Sequence, residues 1–481
     1  MNKITTPKGN FRWTICGLLF FATTINYLDR QVLSLTWSDF IAPEFHWTNN
    51  DYGNITALFS IFYAVSLLFA GRLVDILDTK KGFLWAIGVW SFGACLHAFA
   101  GIATSGILTG NWLVGFEGAK NAIHTVNDTG MVISTSVTLF ILARFVLAVG
   151  EAGNFPAAIK TTAEYFPKKD RAFSTSIFNS GATVGALAAP ITIPFIAKAF
   201  GWEMSFIIIG ALGFIWMGFW VFLYDKPEKH DKVSPEELAY IQQDVIADSK
   251  LVGYVAETTT KVSLKDCFRY KQTWAFAFGK FMTDGVWWFF LFWTPAYLSS
   301  VYEMDATEAA LPLFVLYMIT LLSIIGGWLP TYFVEKKGMN PYDGRMKAML
   351  IFAFFPLLAL IAQPLGHYTY WLPVIIIGIA GAAHQSWSAN IFTTVGDMFP
   401  KKAIATVTGI GGLAGGLGST LINKGSGVLF DYTKDTNMSF MGFEGIEAGY
   451  FIIFSICAVC YLIGWTVMKA LVPKYSPITD L

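Results

Sequence analysis

Apolar segments of roughly 20 residues, separated by short polar turns, make up most of the chain. A helix of about 20 apolar residues is long enough to cross the roughly 30 Å hydrocarbon core of a bilayer. The pattern predicts an all-α membrane protein with twelve transmembrane helices. We expect these helices at residues 13–36, 53–74, 83–104, 136–157, 173–197, 204–224, 275–301, 309–334, 346–364, 371–396, 403–423 and 448–471.

Composition agrees with this pattern. Hydrophobic residues make up 54% of the 481 residues, charged residues make up 14%, and the mean hydropathy is +0.52. A soluble domain carries about 25% charged residues. The lipid bilayer is therefore the predicted environment, and we expect no nucleic-acid partner.

One polar stretch, which begins at Asp225 and extends to about residue 270, divides the predicted helices into six and six. Such a division is typical of transporters built from two structural halves around a central pathway. The predicted organisation is an N-terminal half at 1–224, a cytoplasmic linker at 225–270 and a C-terminal half at 271–481. An insertion at about 105–135 is expected on the external side, and the sequence gives no physical account of it.

The distribution of positive residues predicts the orientation, because short loops rich in Lys and Arg stay in the cytoplasm. One set of loops carries Lys80, Lys81, Lys168, Lys169, Arg171, Lys336, Lys337, Arg345, Lys347, Lys401 and Lys402. The opposite set carries only Lys120, Lys198, Lys424 and Lys434. Both termini are therefore predicted to be cytoplasmic, as an even number of spans requires.

Charged residues inside the apolar segments are the strongest indication of function. Asp29 and Arg30 lie in the first segment, and Arg144 and Glu151 lie in the fourth. A charge at membrane depth costs several kcal/mol unless it is paired or hydrated. Arg144 and Glu151 are two helical turns apart on one face, whereas the adjacent Asp29 and Arg30 diverge by about 100°. These residues are expected to face a water-filled cavity or each other.

Two interpretations of these charges remain open. Ion pairs could simply fasten the first helix to the fourth. In the functional interpretation, Arg30 or Arg144 binds the carboxylate of an anionic substrate, because arginine stays charged and binds carboxylates bidentately. Asp29 and Glu151 carry protons, because a carboxylate can be neutralised when desolvated. The two roles together predict symport, although sodium remains an alternative coupling ion.

The tenth segment is unusually polar for a membrane span, since it contains His384-Gln385-Ser386-Trp387-Ser388-Ala389-Asn390. His384, Gln385, Ser388 and Asn390 are candidates for binding sugar hydroxyl groups, because amide and imidazole groups supply both donors and acceptors. His384 could instead be a packed, hydrogen-bonded helix residue. Trp288, with Trp287 and Trp293, could cover the apolar face of a sugar ring or anchor the helix at the membrane interface.

Three further charged residues are candidate gating groups. Lys280 and Asp284 form an i,i+4 pair in the seventh segment, in the order that is less favourable for the helix dipole. They are predicted to form a cytoplasmic gate or a second contact with a carboxylate; alternatively, Lys280 simply extends its ammonium group to the membrane interface. Asp75 follows the second segment in Gly71-Arg72-Leu73-Val74-Asp75 and precedes Lys80-Lys81-Gly82.

The loop with Asp75 is partly echoed after the eighth segment by Gly327-Trp328-Leu329-Pro330 and Glu335-Lys336-Lys337-Gly338. With the six-and-six division, this loop resembles the major facilitator superfamily. The resemblance implies a fold of two six-helix halves that rock in alternation, with Asp75 latching the cytoplasmic face.

Further motifs resemble the anion:cation symporter family, and within it the bacterial hexuronate transporters. They are Asn26-Tyr27-x-Asp29-Arg30, Arg144-(x6)-Glu151-Ala152, Pro156-Ala157-x-x-Lys160, Glu164-Tyr165-Phe166-Pro167, Phe178-Asn179-Ser180-Gly181, the segment from Ile209 to Trp216, and Ala383-His384-Gln385. This resemblance implies proton-coupled import of glucuronate or galacturonate, with Tyr27, Tyr63 and Asn179 among the substrate-binding residues. An aldonate such as galactonate is the alternative substrate, and a membrane sensor of the same anion is the alternative class.

We expect no cofactor, no metal site and no enzymatic activity, because the sequence contains no nucleophile motif, metal-ligand cluster or cofactor motif. The glycines of Gly409-Ile410-Gly411-Gly412 and Gly415-Gly416-x-Gly418 lack the strand and the Gly-Lys-Ser of a phosphate loop, which favours close helix packing. The resulting prediction is a monomeric, multi-pass protein of the bacterial cytoplasmic membrane.

Overall fold

The computed structural model describes residues 9–243, 263–479 and 481. The part of the predicted linker at 244–262 lies outside the described residues. Described residues are almost entirely helical, apart from one short hairpin of strands β1 (Ser439–Phe440) and β2 (Phe443–Glu444).

The N-terminal half contains ten helices in the described part of the chain. They are α1 (Phe11–Thr36), α2 (Ala42–Phe45), α3 (Asn49–Leu77), α4 (Thr79–Ala98), α5 (Ala100–Thr109), α6 (Phe116–His124), α7 (Thr129–Glu151), α8 (Asn154–Tyr165), α9 (Lys168–Phe200) and α10 (Trp202–Leu223). A π-helical turn, Trp37–Ile41, joins α1 to α2, and a 3₁₀ turn, Pro227–Lys229, follows α10.

In the described part of the connector, two short helices precede the helices of the C-terminal half. The connector helices are α11 (Pro235–Ile241) and α12 (Leu264–Cys267). The C-terminal half contains α13 (Lys271–Tyr302), α14 (Ala310–Thr320), α15 (Ile325–Lys337), α16 (Pro341–Phe354), α17 (Ala362–Gly366), α18 (Trp371–Met398), α19 (Lys401–Asp435) and α20 (Gly445–Leu471). The 3₁₀ turns Leu321–Ile324 and Phe355–Ile361 lie between α14 and α15 and between α16 and α17.

Eight helical segments in the described parts of the chain are long and apolar enough to cross a membrane. The number rises to nine if α4 and α5, which are bent by 52° at Phe99, form one span. The first, seventh and eleventh predicted segments fall on α1, α13 and α19, which are long helices but do not reach the same apolarity. Charged, polar and glycine positions lower their hydropathy.

The two halves meet along pairs of long helices. In each pair, one helix belongs to each half: α3 packs against α19, α9 against α14 and α1 against α13. The beginning of α1 and the end of α20 lie at one end of the bundle, which we call the terminal end. The turn at 37–48 and the loop at 303–309 lie at the opposite end, which we call the distal end.

The connector is attached to the N-terminal half at the terminal end. Glu237 is fully buried and accepts hydrogen bonds from the backbone amides of Phe11 and Arg12 at the start of α1. The Arg12 guanidinium lies 3.0 Å from the same carboxylate. A carboxylate at a helix N-terminus satisfies free N–H groups and complements the helix dipole.

The insertion at 105–135 is mostly helical. It contains the end of α5, the whole of α6 and the beginning of α7. Asp128 caps α7 by accepting a hydrogen bond from the backbone amide of Met131. Trp112 packs its ring against Gly106, where a Cβ atom would lie 2.2 Å from the indole. Residues of the insertion therefore pack against each other.

Close contact between α1 and α9 depends on two glycines. A Cβ atom at Gly181 would lie 2.4 Å from the carbonyl oxygen of Phe20, and one at Gly185 would lie 2.4 Å from that of Thr24. Such distances leave no room for a side chain. Small residues allow backbones to approach in this way in membrane helices.

We expect Gly185→Val to separate α1 from α9 and to lower the melting temperature of the purified protein. Overpacking of a tight contact typically costs about 1–3 kcal/mol. Thermal unfolding in detergent checks this. Gly218→Val is the matched control, because a Cβ atom at Gly218 of α10 would have no neighbouring atom within 4 Å. Equal stability of the two variants would contradict the proposed role of the α1–α9 contact.

Candidate functional site

An ion pair between α1 and α7 lies at the centre of the candidate site. Arg30 Nη2 lies 2.6 Å from Glu151 Oε2, and Arg30 Nε donates to the same oxygen at 3.0 Å. The Arg30 side chain is 4% exposed and that of Glu151 is fully buried. The pair therefore holds two charges out of water, which requires good geometry to be tolerated.

Aromatic rings surround the Arg30 guanidinium. Its Cζ lies 5.1 Å from the ring centroid of Tyr27, 4.7 Å from that of Tyr63 and 5.0 Å from that of Trp288. These distances are within the range of cation–π attraction. Trp288 belongs to the C-terminal half, so residues of both halves contact one cation.

A cavity of about 220 Å³ lies between the halves beside this cation. The N-terminal half contributes Tyr27, Arg30, Ser60, Tyr63, Ala64 and Leu67 to its wall, and the C-terminal half contributes Lys280, Asp284, Trp287, Trp288, His384, Gln385, Ser388, Phe392, Gly412 and Gly416. Ligand sites commonly combine an apolar wall with a few polar groups in this way. The wall suits a small polar anion.

A second ion pair lies in the opposite wall. Lys280 Nζ is 2.7 Å from Asp284 Oδ2, and it also lies 4.2 Å from the ring centroid of Phe392. Each half thus contributes one cation to the cavity, and each cation is paired with a carboxylate of its own half.

His384 is fixed by its neighbours. Its Nδ1 lies 2.8 Å from the hydroxyl of Tyr461, and its ring stacks on Trp287 with centroids 5.3 Å apart and planes at 6°. The side chain is nevertheless part of the cavity wall, with Gln385 and Ser388. Three of the four residues predicted to bind hydroxyl groups therefore face the same space.

Asp29 and Arg144 lie behind the cavity wall. Asp29 is 1% exposed, and neither of its carboxylate oxygens has a hydrogen-bond partner among the described residues. Arg144 is 2% exposed, its Cζ lies 5.1 Å from the ring centroid of Phe59, and its Nη1 also lacks a partner there. Contact between Arg144 and a substrate would require the helices to move.

Three other predicted residues lie outside the cavity wall. Asn179 is exposed on α9. Asn390 is buried, and its amide donates to the carbonyl oxygens of Gly326 and Ser386, which gives it a role in helix packing. Asp75 is exposed at the terminal end, where its carboxylate lies 3.0 Å from Lys160. That pair joins α3 to α8 within one half.

Sequence reasoning missed part of the wall. Ser60 and Phe392 belong to no distinctive motif, and the glycine motif of α19 predicted helix packing rather than a place in the cavity wall. Gly416 matters through size, since a Cβ atom there would lie 2.2 Å from Ala64 Cβ. A Cβ atom at Gly418 would lie 1.9 Å from the carbonyl oxygen of Phe281, so the predicted close packing of this glycine-rich helix is confirmed.

Polar contacts between the halves concentrate at the distal end. Asp431 of α19 accepts hydrogen bonds from the backbone amides of Asn49 and Asn50 and from the side chain of Asn49. Lys424 donates to the side chains of Asn50 and Asn54. These five residues, which we call the distal cluster, join α19 to the beginning of α3.

Asp305 makes another contact between the halves at the distal end. Hydrogen bonds from the Thr307 hydroxyl and from the Glu308 amide help to lower the pKa of Asp305 to about 2. Its carboxylate lies 3.1 Å from Lys198 Nζ. Because Asp305 stays ionised above pH 2, this contact does not respond to physiological pH. Exposed pairs of this kind contribute roughly 0–1 kcal/mol.

Known proteins match this chain along most of its length. The sequence model of the Major Facilitator Superfamily matches residues 19–422. The Hexuronate transporter of Escherichia coli (strain K12) is 28% identical over 475 residues, covering 98% of this chain and 96% of the relative. The Galacturonate transporter of Dickeya chrysanthemi is 26% identical over 330 residues, covering 68% and 84%. The predicted resemblance to hexuronate transporters is thereby confirmed.

Solved structures show the same fold. A bacterial homolog of the human lysosomal transporter Spinster, in an inward-facing and unoccupied conformation, matches with a TM-score of 0.68 at 17% identity, covering 97% of this chain and 99% of that one. A D-xylose-proton symporter matches with a TM-score of 0.63 at 15% identity, covering 98% and 99%. The chain is a multi-pass membrane protein and belongs to the Major Facilitator Superfamily.

Proposed function

We propose that this protein is a proton-coupled symporter that imports a hexuronate, either glucuronate or galacturonate, across the bacterial cytoplasmic membrane. The observation that carries the proposal is the buried Arg30–Glu151 ion pair at a cavity between the two halves. Relatives named as hexuronate and galacturonate transporters support the class of substrate.

The proposed topology has twelve spans, which include the less apolar helices α1, α13 and α19. Both termini then lie in the cytoplasm, so the terminal end is cytoplasmic and the distal end is external. Because the polar contacts between the halves lie at the distal end, the proposed conformation is closed to the outside. Alternating access requires these contacts to break during each cycle.

Coupling follows from competition for Arg30. While Glu151 is ionised, it occupies the guanidinium and the cavity offers no free cation from this pair. A proton on Glu151 neutralises the carboxylate and frees Arg30 to bind the carboxylate of the substrate bidentately. The site then stays near electrical neutrality with both ligands bound or with neither bound, which favours movement of the halves in these two states.

The remaining wall suits the rest of a sugar acid. Gln385, Ser388 and His384 supply donors and acceptors for hydroxyl groups, and Trp287 and Trp288 supply apolar surface for the C–H face of the ring. Lys280 is a second cation that a carboxylate or a hydroxyl group can approach.

Uptake of labelled glucuronate into proteoliposomes tests this function. We expect accumulation under an inward proton gradient and its loss when a protonophore is added. Accumulation of galactonate without uptake of glucuronate would replace the substrate with an aldonate. Accumulation that follows sodium rather than protons would contradict proton coupling. Binding without any accumulation would indicate a sensor of the same anion.

We expect Asp431→Ala to weaken the distal closure. Asp431 holds the first amides of α3, and a hydrogen bond to a charged group contributes roughly 1.5–3 kcal/mol. The variant should raise the labelling of Asn54→Cys by a membrane-impermeant maleimide from outside intact cells, in a background whose five cysteines are replaced by serine.

Asp435→Ala is the matched control for this experiment. Asp435 is an exposed aspartate at the end of the same helix, one turn beyond Asp431. Its replacement should leave labelling at the level of the parent protein. Equal labelling of the Asp431 and Asp435 variants would show that the distal cluster does not close the outer side.

A further inference from the structure

Two buried asparagines near the ion pair have no role in the cycle described above. Asn26 of α1 and Asn154 of α8 are both 0% exposed. In each, the amide nitrogen and the amide oxygen both lack a hydrogen-bond partner in the described parts of the chain. Neither residue lines the cavity.

Helix geometry places these two amides at the same level. Asn26 precedes Arg30 by four residues, and Asn154 follows Glu151 by three, so each lies about one turn from the ion pair. Because α1 runs away from the terminal end and α7 and α8 run towards it, both amides lie on the terminal side of the pair. α1 contacts α8 directly.

Angular positions bring Asn26 close to both charged residues of α1. At about 100° per residue, Arg30 is rotated by about 40° from Asn26 in one direction, and Asp29 by about 60° in the other. Asn26 therefore lies one turn nearer the terminal end, at an angle between the directions of Asp29 and Arg30. Both carboxylate oxygens of Asp29 and Oε1 of Glu151 also lack hydrogen-bond partners among the described residues.

Buried amides of this kind require partners. An unsatisfied buried polar group costs about 1–3 kcal/mol, and buried water commonly satisfies such groups with two to four hydrogen bonds. Each asparagine offers both a donor and an acceptor, which matches water. A sodium ion would use only the two oxygens and would leave both NH₂ groups unpaired.

The charged neighbours also disfavour a cation. Arg30 on α1 and both Arg144 and Glu151 on α7 lie close enough to Asp29 to interact with it electrostatically. Cys95 of α4 lies near Asp29, and the rings of Tyr27 and Tyr63 lie next to Arg30. With two arginines beside two carboxylates, an added cation has no uncompensated negative charge to bind.

We propose that Asn26 and Asn154 hold ordered water that passes a proton between Asp29 and Glu151 behind the cavity wall. The inference rests on the proposed proton coupling and adds a route that does not cross the substrate. Asn26 and Asn154 are positioning residues, because they neither bind substrate nor titrate.

Protons and charges balance in this transfer. The carboxyl group of protonated Asp29 gives its proton to a water that Asn26 and Asn154 hold, and that water gives another proton to Glu151 Oε1. Asp29 becomes a carboxylate, Glu151 becomes neutral, and the water is restored. The neutral Glu151 then releases Arg30 to bind the anion.

Uptake and exchange of labelled glucuronate in proteoliposomes separate this role from substrate binding. We expect Asn154→Leu and Asn26→Leu to slow proton-driven uptake by about 10-fold or more, because a positioned proton-transfer group typically contributes at least about 100-fold. Exchange of labelled for unlabelled glucuronate at equal pH should continue. Asn154→Ser, which keeps a hydroxyl that can hold water, should recover most of the rate.

Equal loss of uptake and exchange in the leucine variants would overturn the proposal, because it would indicate a structural or substrate-binding role. Unchanged uptake in both would also overturn it. A parent protein that exchanges glucuronate but accumulates it only with sodium would contradict proton coupling itself, which is a separate failure.

A measurement that needs no substrate tests the water site even if glucuronate is not transported. Infrared difference spectra between high and low pH report carboxyl protonation in the purified protein. We expect bands that Asp29→Asn and Glu151→Gln remove to shift in Asn26→Leu and Asn154→Leu. Unshifted bands, or bands that shift when sodium replaces choline, would overturn the water site.

Discussion

Glu151→Gln is expected to abolish proton-driven accumulation while exchange of substrate continues. An inward gradient of one pH unit corresponds to about 1.4 kcal/mol, or about tenfold accumulation for one proton per anion. Glutamine resembles neutral Glu151 in shape and leaves Arg30 free for the anion, so the variant should bind and exchange substrate. Without the carboxyl group whose protonation frees Arg30, accumulation should fall from about tenfold to about the equilibrium ratio.

Uptake and exchange of labelled glucuronate in the same proteoliposomes check this expectation. Glu117→Gln is the matched control, because Glu117 is an exposed glutamate of α6 in the insertion. It should behave like the parent protein. If Glu151→Gln still accumulates substrate against its gradient, the proton is carried elsewhere, and Asp29→Asn becomes the decisive variant.

Stability must be measured beside transport, because removal of one partner from a buried ion pair typically costs about 3–5 kcal/mol. The glutamine carbonyl can still accept a hydrogen bond from Arg30, which reduces this cost. A melting temperature close to that of the parent protein would show that loss of accumulation reflects chemistry rather than unfolding.

The apolar segments predict the positions of the long helices, but three of the predicted spans are less apolar than the others. α1, α13 and α19 each contribute to the cavity wall, and their contribution includes charged residues and glycines. Arg30 lowers the hydropathy of α1, as Lys280 and Asp284 lower that of α13. The features that make these helices less typical of a membrane span are the features that indicate a transport site.

Spacing along the chain could identify the charged residues but not their partners. Two turns separate Arg144 from Glu151, which predicts a shared face, yet Glu151 pairs with Arg30 across the helix contact. The distance between α1 and its neighbouring helices determines which charged residues can pair. Glycines such as Gly185 allow α1 to pack closely. Contacts between helices of different halves, such as Arg30 with Trp288, are also invisible to helix spacing.

Motif resemblance and burial give different information about asparagines. Asn179 belongs to a motif that resembles hexuronate transporters, yet it is exposed and outside the cavity wall. Asn26 belongs to the stretch that contains Asp29 and Arg30, but its proposed role rests on its burial and on an amide without a partner among the described residues. A polar residue one turn from a buried charge is the sequence signal that could have identified it.

Arg30→Lys is expected to weaken substrate binding by about 10-fold to 100-fold, although the positive charge is kept. Lysine lacks the planar fork that binds a carboxylate through two parallel hydrogen bonds, and a hydrogen bond to a charged group contributes roughly 1.5–3 kcal/mol. The stacking of the guanidinium on Tyr27, Tyr63 and Trp288 should also be lost. Binding of labelled glucuronate to the purified protein measures the change in Kd.

Arg269→Lys is the control for this change, because Arg269 is an exposed arginine of the connector whose side chain is 73% exposed. Its Kd should equal that of the parent protein. If Arg30→Lys binds glucuronate as tightly as the parent and Arg144→Lys does not, the substrate carboxylate binds Arg144. The cavity must then open towards α7 before binding, and the Arg30–Glu151 pair becomes a fastening of α1 to α7 rather than the site of competition between proton and anion.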